Sequence, residues 1–381
     1  MFDELIGDQR PLRWVLQFWP VLAAALTSAL AATALCKRIA IRFGIVDRPD
    51  DTVKTHKEPI AYLGGVGMLV GLTVGILTGI YLLRDDAGFA RELQWLLGVL
   101  AGAAIACFVG LTDDILDLRP RHKMLGQVLA GVLLLLAGIN PNLQQVAGPL
   151  GLSIPTQVEI VLDVIVVTFF VLGATNSLNL LDGLDGLCAG VTAIITIAML
   201  VLATHLATWG FSDFGDPVRI VICLGLVGGV CGFLPFNRHP AKIFMGDAGS
   251  MLLGFVVAAL MILFAEKVPR WWFASIVVFG LPILDTATAV VRRLLNHRPL
   301  FVSDRGHIYD QMIDRGIPLN RTVAICYGLA GLYAVIGVAM SQIRTRHAAV
   351  IYVLLFLASG WAVWQKGYLR MEGLRGAKRS A

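Results

Sequence analysis

The chain alternates long apolar runs with short polar segments along its length. A helix needs about 20 mostly apolar residues to cross a bilayer, and eleven segments come close to that length. The segment at 124–139 is short, but its leucine run still favours a helix. The predicted spans are 15–36, 63–83, 93–112, 124–139, 158–175, 187–205, 218–236, 248–266, 271–290, 322–340 and 348–365. This pattern predicts an all-α integral membrane protein with about eleven transmembrane helices.

The amino-acid composition also indicates a membrane protein. Of the 381 residues, 57% are hydrophobic and only 15% are charged, whereas soluble domains carry about 25% charged residues. A net charge of +5 would suggest nucleic acid as a partner of a soluble protein. Here the basic residues lie between apolar runs, where they set membrane orientation. We therefore expect a lipid bilayer as the surroundings and no nucleic acid as a partner.

The distribution of lysine and arginine predicts the orientation. Segments that follow the odd-numbered spans contain 22 of these residues, and segments on the other side contain 9. The positive-inside rule then places the N-terminus outside and the C-terminus in the cytoplasm. Because no loop is long enough for a second domain, we expect a single transmembrane domain over 1–381. Its predicted cytoplasmic loops are 37–62, 113–123, 176–186, 237–247 and 291–321.

Aspartates collect in these predicted cytoplasmic loops. In LTDDILDL, Asp113 and Asp117 are four residues apart and are expected to share a helical face, with Asp114 pointing about 100° away. Paired carboxylates at a membrane surface can hold a divalent cation or accept a proton. A solvated helix end is the alternative for a bare Asp-Asp pair.

The segment NSLNLLDGLDGL carries a polar residue at every third position. On a tightly wound turn, Asn176, Asn179, Asp182 and Asp185 would form one row, with glycines beside the carboxylates that allow a ligand to approach. Asx residues with glycines also form ordinary loops between helices. That alternative explains one Asp-Gly pair easily and two in register poorly.

The segment FMGDAGS places an aspartate at the start of a predicted span. Asp247 can cap that helix, or it can bind a magnesium ion that also contacts phosphate. Phe244 can stack on a flat base or anchor the helix at the interface. The spacing leaves both pairs of alternatives open.

Two acids fall inside predicted spans, where they need partners or water. Asp163 and Asp285 therefore raise a rival hypothesis, an ion-coupled transporter with sites near the midplane. The topology places them at different depths, which opposes that hypothesis. We expect Asp285 instead to orient the basic loop that follows it.

The polar segments together resemble the polyprenyl-phosphate N-acetylhexosamine-1-phosphate transferase family, glycosyltransferase family 4. The resemblance runs from about residue 37 to 321 and keeps the order of the family's motifs. The matching segments are DRPDDTVKTHKEPIAYLGG (47–65), DDILDL with the following lysine (113–123), NSLNLLDGLDGL (176–187), FNRHPAKIFMGDAGS (236–250) and the loop before the tenth span.

The resemblance implies transfer of a sugar 1-phosphate from a UDP-sugar to a polyprenyl phosphate of the undecaprenyl type. UMP would be released, and the lipid-linked product would start a cell-envelope glycan. The site would lie on the cytoplasmic side of a bacterial inner membrane. The sequence leaves open the isoprenoid length, the downstream polymer, a homodimeric state, and whether transfer is direct or uses a covalent intermediate.

The resemblance also implies roles for particular residues. Asp113 and Asp114 would be catalytic near the lipid phosphate, with Asp113 the better candidate for accepting its proton. Asp247 would ligate Mg²⁺, for which Mn²⁺ could substitute. The residues implied in substrate binding are Lys54 and Lys123 at phosphate oxygens, Asn179, Asp182 and Asp185 on the nucleotide side, Phe244 against the uracil, and Arg305 and His307 at the diphosphate.

The loop SDRGHIYDQMIDRG indicates the subgroup. WecA-like and TagO-like members are expected to have an aspartate-arginine pair and then His-x-His-His, but here Tyr309 and Asp310 stand at two of the histidine positions. The three consecutive histidines and Lys-Met-Ala-Pro-Ile lead of MraY-like members are absent. The loop favours the WecA/TagO-like branch with UDP-N-acetylglucosamine as donor. A different UDP-sugar, including UDP-MurNAc-pentapeptide, is the alternative.

Overall fold

The computed structural model describes residues 10–47, 59–86, 88–148, 151–208, 216–266, 269–299 and 306–370. Helices lie at all eleven positions where the sequence predicts a span. The helices are α1 Arg10–Gln17, α2 Trp19–Phe43, α3 Gly64–Leu83, α4 Phe89–Leu116, α5 Pro120–Leu136, α6 Gln144–Ala147, α7 Thr156–Leu181, α8 Leu187–Thr208, α9 Asp216–Asn237, α10 Gly246–Ala265, α11 Pro269–Val278, α12 Gly280–Leu295, α13 Ile308–Asp314, α14 Leu319–Met340 and α15 Thr345–Gln365. The prediction of an all-α membrane protein is confirmed.

The predicted spans differ in how they would cross a membrane. Among the described residues, nine helices are long and apolar enough to span it, and α5 is shorter, at 17 residues. The predicted span 271–290 is not one straight helix, because α11 and α12 meet at a 68° bend. Pro282 lies in the first turn of α12 and cannot donate a hydrogen bond to the carbonyl four residues earlier, which favours a new helix start here.

Helix α10 is the centre of the bundle. After the polar residues of its start, Asp247 and Ser250, the helix is apolar from Met251 to Ala265, and the whole of its spanning stretch is buried, as expected for a helix that is apolar on all sides. It packs against α4 and α7, and glycines allow the close approach. A methyl group at Gly102 would clash with the ring of Phe255, and one at Gly254 would clash with the backbone at Thr175.

Within the described residues, two short strands depart from the prediction of a purely helical protein. β1 (Val46–Asp47) pairs antiparallel with β2 (Ile60–Ala61), and Ala61 forms a parallel bridge to Ile243. The amide of Gly64 also donates to the carbonyl of Phe244 over 3.0 Å. The hairpin therefore fixes the start of α3 to the segment before α10.

The polar clusters lie at one end of the bundle. The carboxyl ends of α4 and α7 meet the amino ends of α5 and α10 there through the hydrogen bonds described below. At the opposite end, Glu266 contacts Arg91 over 3.3 Å and Arg219 over 3.2 Å. Helix α2 ends beside the hairpin, where the amide of Tyr62 donates to the carbonyl of Ile45, and α15 ends beside α13, where Arg315 donates to the carbonyl of Lys366. The sides on which the two termini lie stay a prediction. Which end faces the cytoplasm stays a prediction.

Candidate active site

Asp114 caps the helix that carries Asp247. Its Oδ1 accepts a hydrogen bond from the amide of Asp247 over 2.8 Å, and its Oδ2 accepts one from the amide of Ala248 over 3.1 Å. The first amides of a helix lack partners within the helix, and a carboxylate there is further stabilised by the helix dipole. Gly246 makes room for this contact, since it has a φ of +65° and lies directly against the carboxylate.

Lys123 joins the carboxylates of two helices. Its Nζ donates to Asp113 Oδ2 over 3.1 Å, to Asn179 Oδ1 over 3.4 Å, and to Asp247 Oδ2. Asn179 Nδ2 in turn donates to Asp247 Oδ1 over 2.6 Å and to Ser250 Oγ over 3.0 Å. We call Asp113, Lys123, Asn179 and Asp247 the acidic cluster. It gathers one residue each from α4, α5, α7 and α10.

The acidic cluster is shielded but still open to solvent. The side chains of Asp113, Lys123 and Asp247 retain 15%, 16% and 25% of their exposure. Charges in such a site interact more strongly than they do at a free surface. A ligand can therefore reach the cluster and experience a strong field there.

The predicted pairing of Asp113 with Asp117 is wrong. Helix α4 ends at Leu116, and Asp117 has a left-handed φ of 50° with an exposed side chain. Asp113 Oδ1 instead accepts the amide of Leu118 over 2.9 Å. Because the helix stops between the two acids, they do not share a helical face.

The row predicted from Asn176 to Asp185 divides into two sets. Asn179 and Asp182 belong to the acidic cluster and its immediate surroundings, whereas Asn176 Nδ2 donates to Gln127 Oε1 over 3.0 Å. A single row is wrong, because α7 continues to Leu181 with 3.6 residues per turn.

Asp182 and Asp185 have different surroundings. Desolvation, and then the charges of Asp247 and Asp114, raise the pKa of Asp182 well above its usual value. Asp185 Oδ2 accepts the amide of Ala241 over 3.1 Å and lies 2.8 Å from His239 Nδ1. Asp185 thus holds the segment before α10, and its predicted contact with a nucleotide stays a prediction.

Phe244 lies beside the hairpin. Its ring packs edge-on against Tyr62 with 6.0 Å between centroids, and its amide donates to the carbonyl of Ala61 over 2.8 Å. The ring is half-buried and lies two residues before the start of α10. Stacking against a base stays a prediction.

His307 is a buried residue rather than a surface residue of the loop. Its Nδ1 lies 2.7 Å from Asp285 Oδ2, and the amide of Ile308 donates to Asp285 Oδ1 over 2.7 Å. Asp285 therefore orients the loop, as the sequence predicts. Lys54 and Arg305 lie outside the described residues, so their roles stay predictions.

Tyr309 and Gly110 have contacts near the site that the sequence does not predict. Tyr309 Oη donates to the carbonyl of Leu180 over 2.8 Å, a contact between positions 129 residues apart that no local signal reveals. Gly110 lies against the backbone of Asp247, and it precedes Asp113 by three residues. That spacing places Gly110 near the face of Asp113 and could have pointed to it.

The chemistry of the donors fits a divalent cation held together with a ligand. Oxygens of Asp113, Asn179 and Asp247 already converge on one positive charge, the ammonium of Lys123. Mg²⁺ typically takes one or two protein carboxylates and completes its shell with phosphate oxygens and water. In the described ranges, no group of three His, Cys, Asp or Glu side chains could hold a metal by itself. The site therefore suits a cation that arrives with phosphate.

Gly110→Ala is expected to separate α4 from α10. The added methyl group would clash with the carbonyl group of Asp247 and the amide of Ala248, neither of which can move without displacing the start of α10. We expect unfolding to become easier by about 2 kcal/mol, as in other overpacked sites. We expect activity to fall by about a hundredfold, since small misplacements of reacting groups have large effects.

Thermal unfolding in detergent and initial rates would measure both effects of Gly110→Ala. Gly173→Ala is the matched control, because nothing lies within 4 Å of the added methyl group on α7. Wild-type stability and rate in Gly110→Ala would contradict the close α4–α10 contact.

Comparison with known proteins places these features in a family. Residues 96–265 match the family model described as Glycosyl transferase family 4. A decaprenyl-phosphate N-acetylglucosaminephosphotransferase of Mycolicibacterium smegmatis is 32% identical over 321 residues, covering 80% of this chain and 77% of that protein. A probable undecaprenyl-phosphate N-acetylglucosaminyl 1-phosphate transferase of Bacillus subtilis is 29% identical over 358 residues, covering 92% and 89%. A phospho-N-acetylmuramoyl-pentapeptide-transferase of Shouchella clausii is 31% identical over 342 residues, covering 85% and 97%.

The helical bundle and the acidic cluster at its end define a multi-pass membrane protein with a polar site at the end of its spans. The sequence matches extend over most of this chain and of the relatives. The chain belongs to glycosyl transferase family 4.

Proposed function

We propose that this protein transfers N-acetylglucosamine 1-phosphate from UDP-N-acetylglucosamine to a polyprenyl phosphate of the undecaprenyl type. The acidic cluster carries the proposal. Asp113, Lys123, Asn179 and Asp247 meet at the ends of spanning helices, where a phosphate on a membrane lipid can meet a soluble nucleotide. The names of the Bacillus and Mycolicibacterium relatives support the lipid phosphate and the sugar.

The reaction exchanges one phosphoanhydride for another. An oxygen of the polyprenyl phosphate attacks the phosphorus that bears the sugar, and a new P–O bond forms. The bond from that phosphorus to the bridging oxygen breaks, and its electron pair leaves with UMP. Because the second pKa of a phosphate monoester is about 6, the nucleophile is largely deprotonated at neutral pH.

The residues of the acidic cluster have complementary roles in this reaction. Asp113 is the proton acceptor for the remaining protonated fraction of the lipid phosphate, and Lys123 binds phosphate oxygens. Asp247 and Asn179 are the residues that would hold Mg²⁺, or Mn²⁺ in its place. The bound metal supplies positive charge that offsets the negative charge of the diphosphate during transfer. Asp182 lies on the nucleotide side and contacts the donor.

The proposed setting is a bacterial cytoplasmic membrane with the acidic cluster on the cytoplasmic side. The excess of lysine and arginine on the loops at that end supports this orientation. The product would begin a lipid-linked glycan of the cell envelope, and a homodimer is compatible with this role.

UDP-MurNAc-pentapeptide is the second candidate donor. The similarity to the Shouchella enzyme over 97% of its length favours it. The loop SDRGHIYDQMIDRG opposes it, because it lacks three consecutive histidines. The two donors differ in the group on the sugar, so a direct comparison separates them.

Purified protein in detergent tests the proposal. With UDP-N-acetylglucosamine, Mg²⁺ and undecaprenyl phosphate, we expect UMP and a lipid diphosphate-linked N-acetylglucosamine. Omission of the lipid phosphate is the control for hydrolysis, and a panel of UDP-sugars ranks the donors. An absence of UMP with every UDP-sugar would reject the proposed function, and a preference for UDP-MurNAc-pentapeptide would select the second candidate.

A further inference from the structure

Two tyrosine hydroxyls hold the two ends of the segment between α7 and α8. Tyr309 Oη, from α13, donates to the carbonyl of Leu180 over 2.8 Å. Tyr327 Oη, from α14, donates to the carbonyl of Gly186 over 2.7 Å. We call Tyr309 and Tyr327 the tyrosine bracket. It secures residues 181–186 from both sides.

Both tyrosine rings pack closely against glycines. A methyl group at Gly183 would clash with the hydroxyl and ring of Tyr309, and one at Gly190 would clash with those of Tyr327. Both contacts therefore depend on the missing side chain of a residue in or just after the bracketed segment. The close fit of each tyrosine ring against a glycine indicates two specific packing contacts.

The bracketed segment carries Asp182 beside the acidic cluster. Asp182 directly follows α7, and the charges of Asp247 and Asp114 act on its carboxyl group. The amide of Gly186 also donates to Asn237 Oδ1 over 3.1 Å. The segment is thus fixed by its backbone, and the Asp182 side chain is partly exposed.

Tyr309 also connects this segment to His307. The two rings are nearly parallel at 9°, with 5.7 Å between centroids, and His307 Nδ1 lies 2.7 Å from Asp285 Oδ2. Burial, and then the charges of Asp310 and Asp285, raise the pKa of Tyr309 well above its usual value. Its hydroxyl therefore keeps the proton that it donates to Leu180.

We propose that Tyr309 and Tyr327 are positioning residues for the UDP-sugar, which fix the 181–186 segment so that Asp182 meets the donor. The proposal rests on the proposed function. Neither tyrosine touches the reacting atoms. Tyr309 stands where a histidine is expected, and an imidazole is too short to replace its hydroxyl at Leu180. In this chain, residue 309 thus acts on the donor site indirectly, through the backbone carbonyl of Leu180.

Tyr309→Phe and Tyr327→Phe test the bracket, because each removes one hydroxyl and keeps the ring. We expect each variant to raise the KM for UDP-N-acetylglucosamine by about tenfold, the effect of losing one buried hydrogen bond. We expect kcat and the KM for undecaprenyl phosphate to stay as in the wild type. Tyr333→Phe is the matched control, since it removes a hydroxyl that lies 2.6 Å from Ser359 Oγ between α14 and α15. It should leave every parameter unchanged.

Gly183→Ala provides an independent approach to the same contact. Its methyl group would clash with the hydroxyl and the ring of Tyr309, so it should also raise the donor KM and leave the KM for undecaprenyl phosphate unchanged. An unchanged donor KM in both tyrosine variants, or an equal rise in the KM of both substrates, would overturn the proposal.

Hydrogen exchange of the amides at 181–186 keeps the bracket testable if the wild type releases no UMP. Faster exchange in both bracket variants than in Tyr333→Phe would then support the bracket while the proposed function fails. Unchanged exchange in this segment would overturn the bracket itself.

Discussion

Asp247→Asn is expected to reduce the rate of UMP release by about a thousandfold. In the folded protein this carboxylate binds Lys123 with one oxygen and Asn179 with the other. The amide keeps the shape but loses the negative charge, so it weakens the contact with Lys123 and the binding of the proposed divalent cation. Loss of one charged or hydrogen-bonding group that acts on a transition state typically reduces kcat by two to three orders of magnitude. Initial rates at saturating substrates, over a wide range of Mg²⁺, would measure the effect.

Asp117→Asn is the matched control for Asp247→Asn. Asp117 lies at the end of the same helix as Asp113, its side chain is exposed, and asparagine tolerates its left-handed backbone. We expect wild-type rates from this variant. Wild-type rates in Asp247→Asn at every Mg²⁺ concentration would remove both the metal assignment and the central role of the acidic cluster. Thermal unfolding of both variants would separate a loss of chemistry from a loss of structure.

The positions of the helices could be predicted because a bilayer imposes a simple rule. An apolar stretch of about 20 residues is required for each span, and the charged residues are scarce enough to separate the stretches. The bend between α11 and α12 could not be predicted with the same rule. Pro282 lies in a mostly apolar run, and membrane helices often accommodate a proline when neighbours satisfy the freed backbone.

The residues of the acidic cluster were easier to predict than the contacts between them. Asp113, Lys123, Asn179 and Asp247 are polar residues at the ends of apolar runs, so local sequence is sufficient to select them. Their partners depend on which helix ends meet. Asp185 also matched the polar row, yet its carboxylate holds a segment more than 50 positions later in the chain. One sequence contains no local signal for such pairings.

Substitutions of the two adjacent aspartates of α4, Asp113 and Asp114, are expected to have different effects. Asp114→Ala removes both acceptors from the amides of Asp247 and Ala248, at the buried start of the central helix. Unsatisfied buried amides cost roughly 1 to 3 kcal/mol each, and loss of a helix cap costs about 1 kcal/mol. We expect unfolding to become easier by about 2 kcal/mol, and activity to fall at least about a hundredfold because Asp247 shifts. Thermal unfolding and initial rates would measure these effects.

Asp113→Asn is the comparison variant for Asp114→Ala, because it should lower activity without lowering stability. Its amide oxygen can still accept the amide of Leu118, so we expect little change in stability. Activity should nevertheless fall, because the variant removes the proposed proton acceptor and a partner of Lys123. Asp114→Asn keeps one acceptor for α10 and should be intermediate in stability. A variant Asp114→Ala that is as stable as the wild type but inactive would instead mean that Asp114 acts on the substrate directly, and the preference for Asp113 over Asp114 as the proton acceptor would have to be given up.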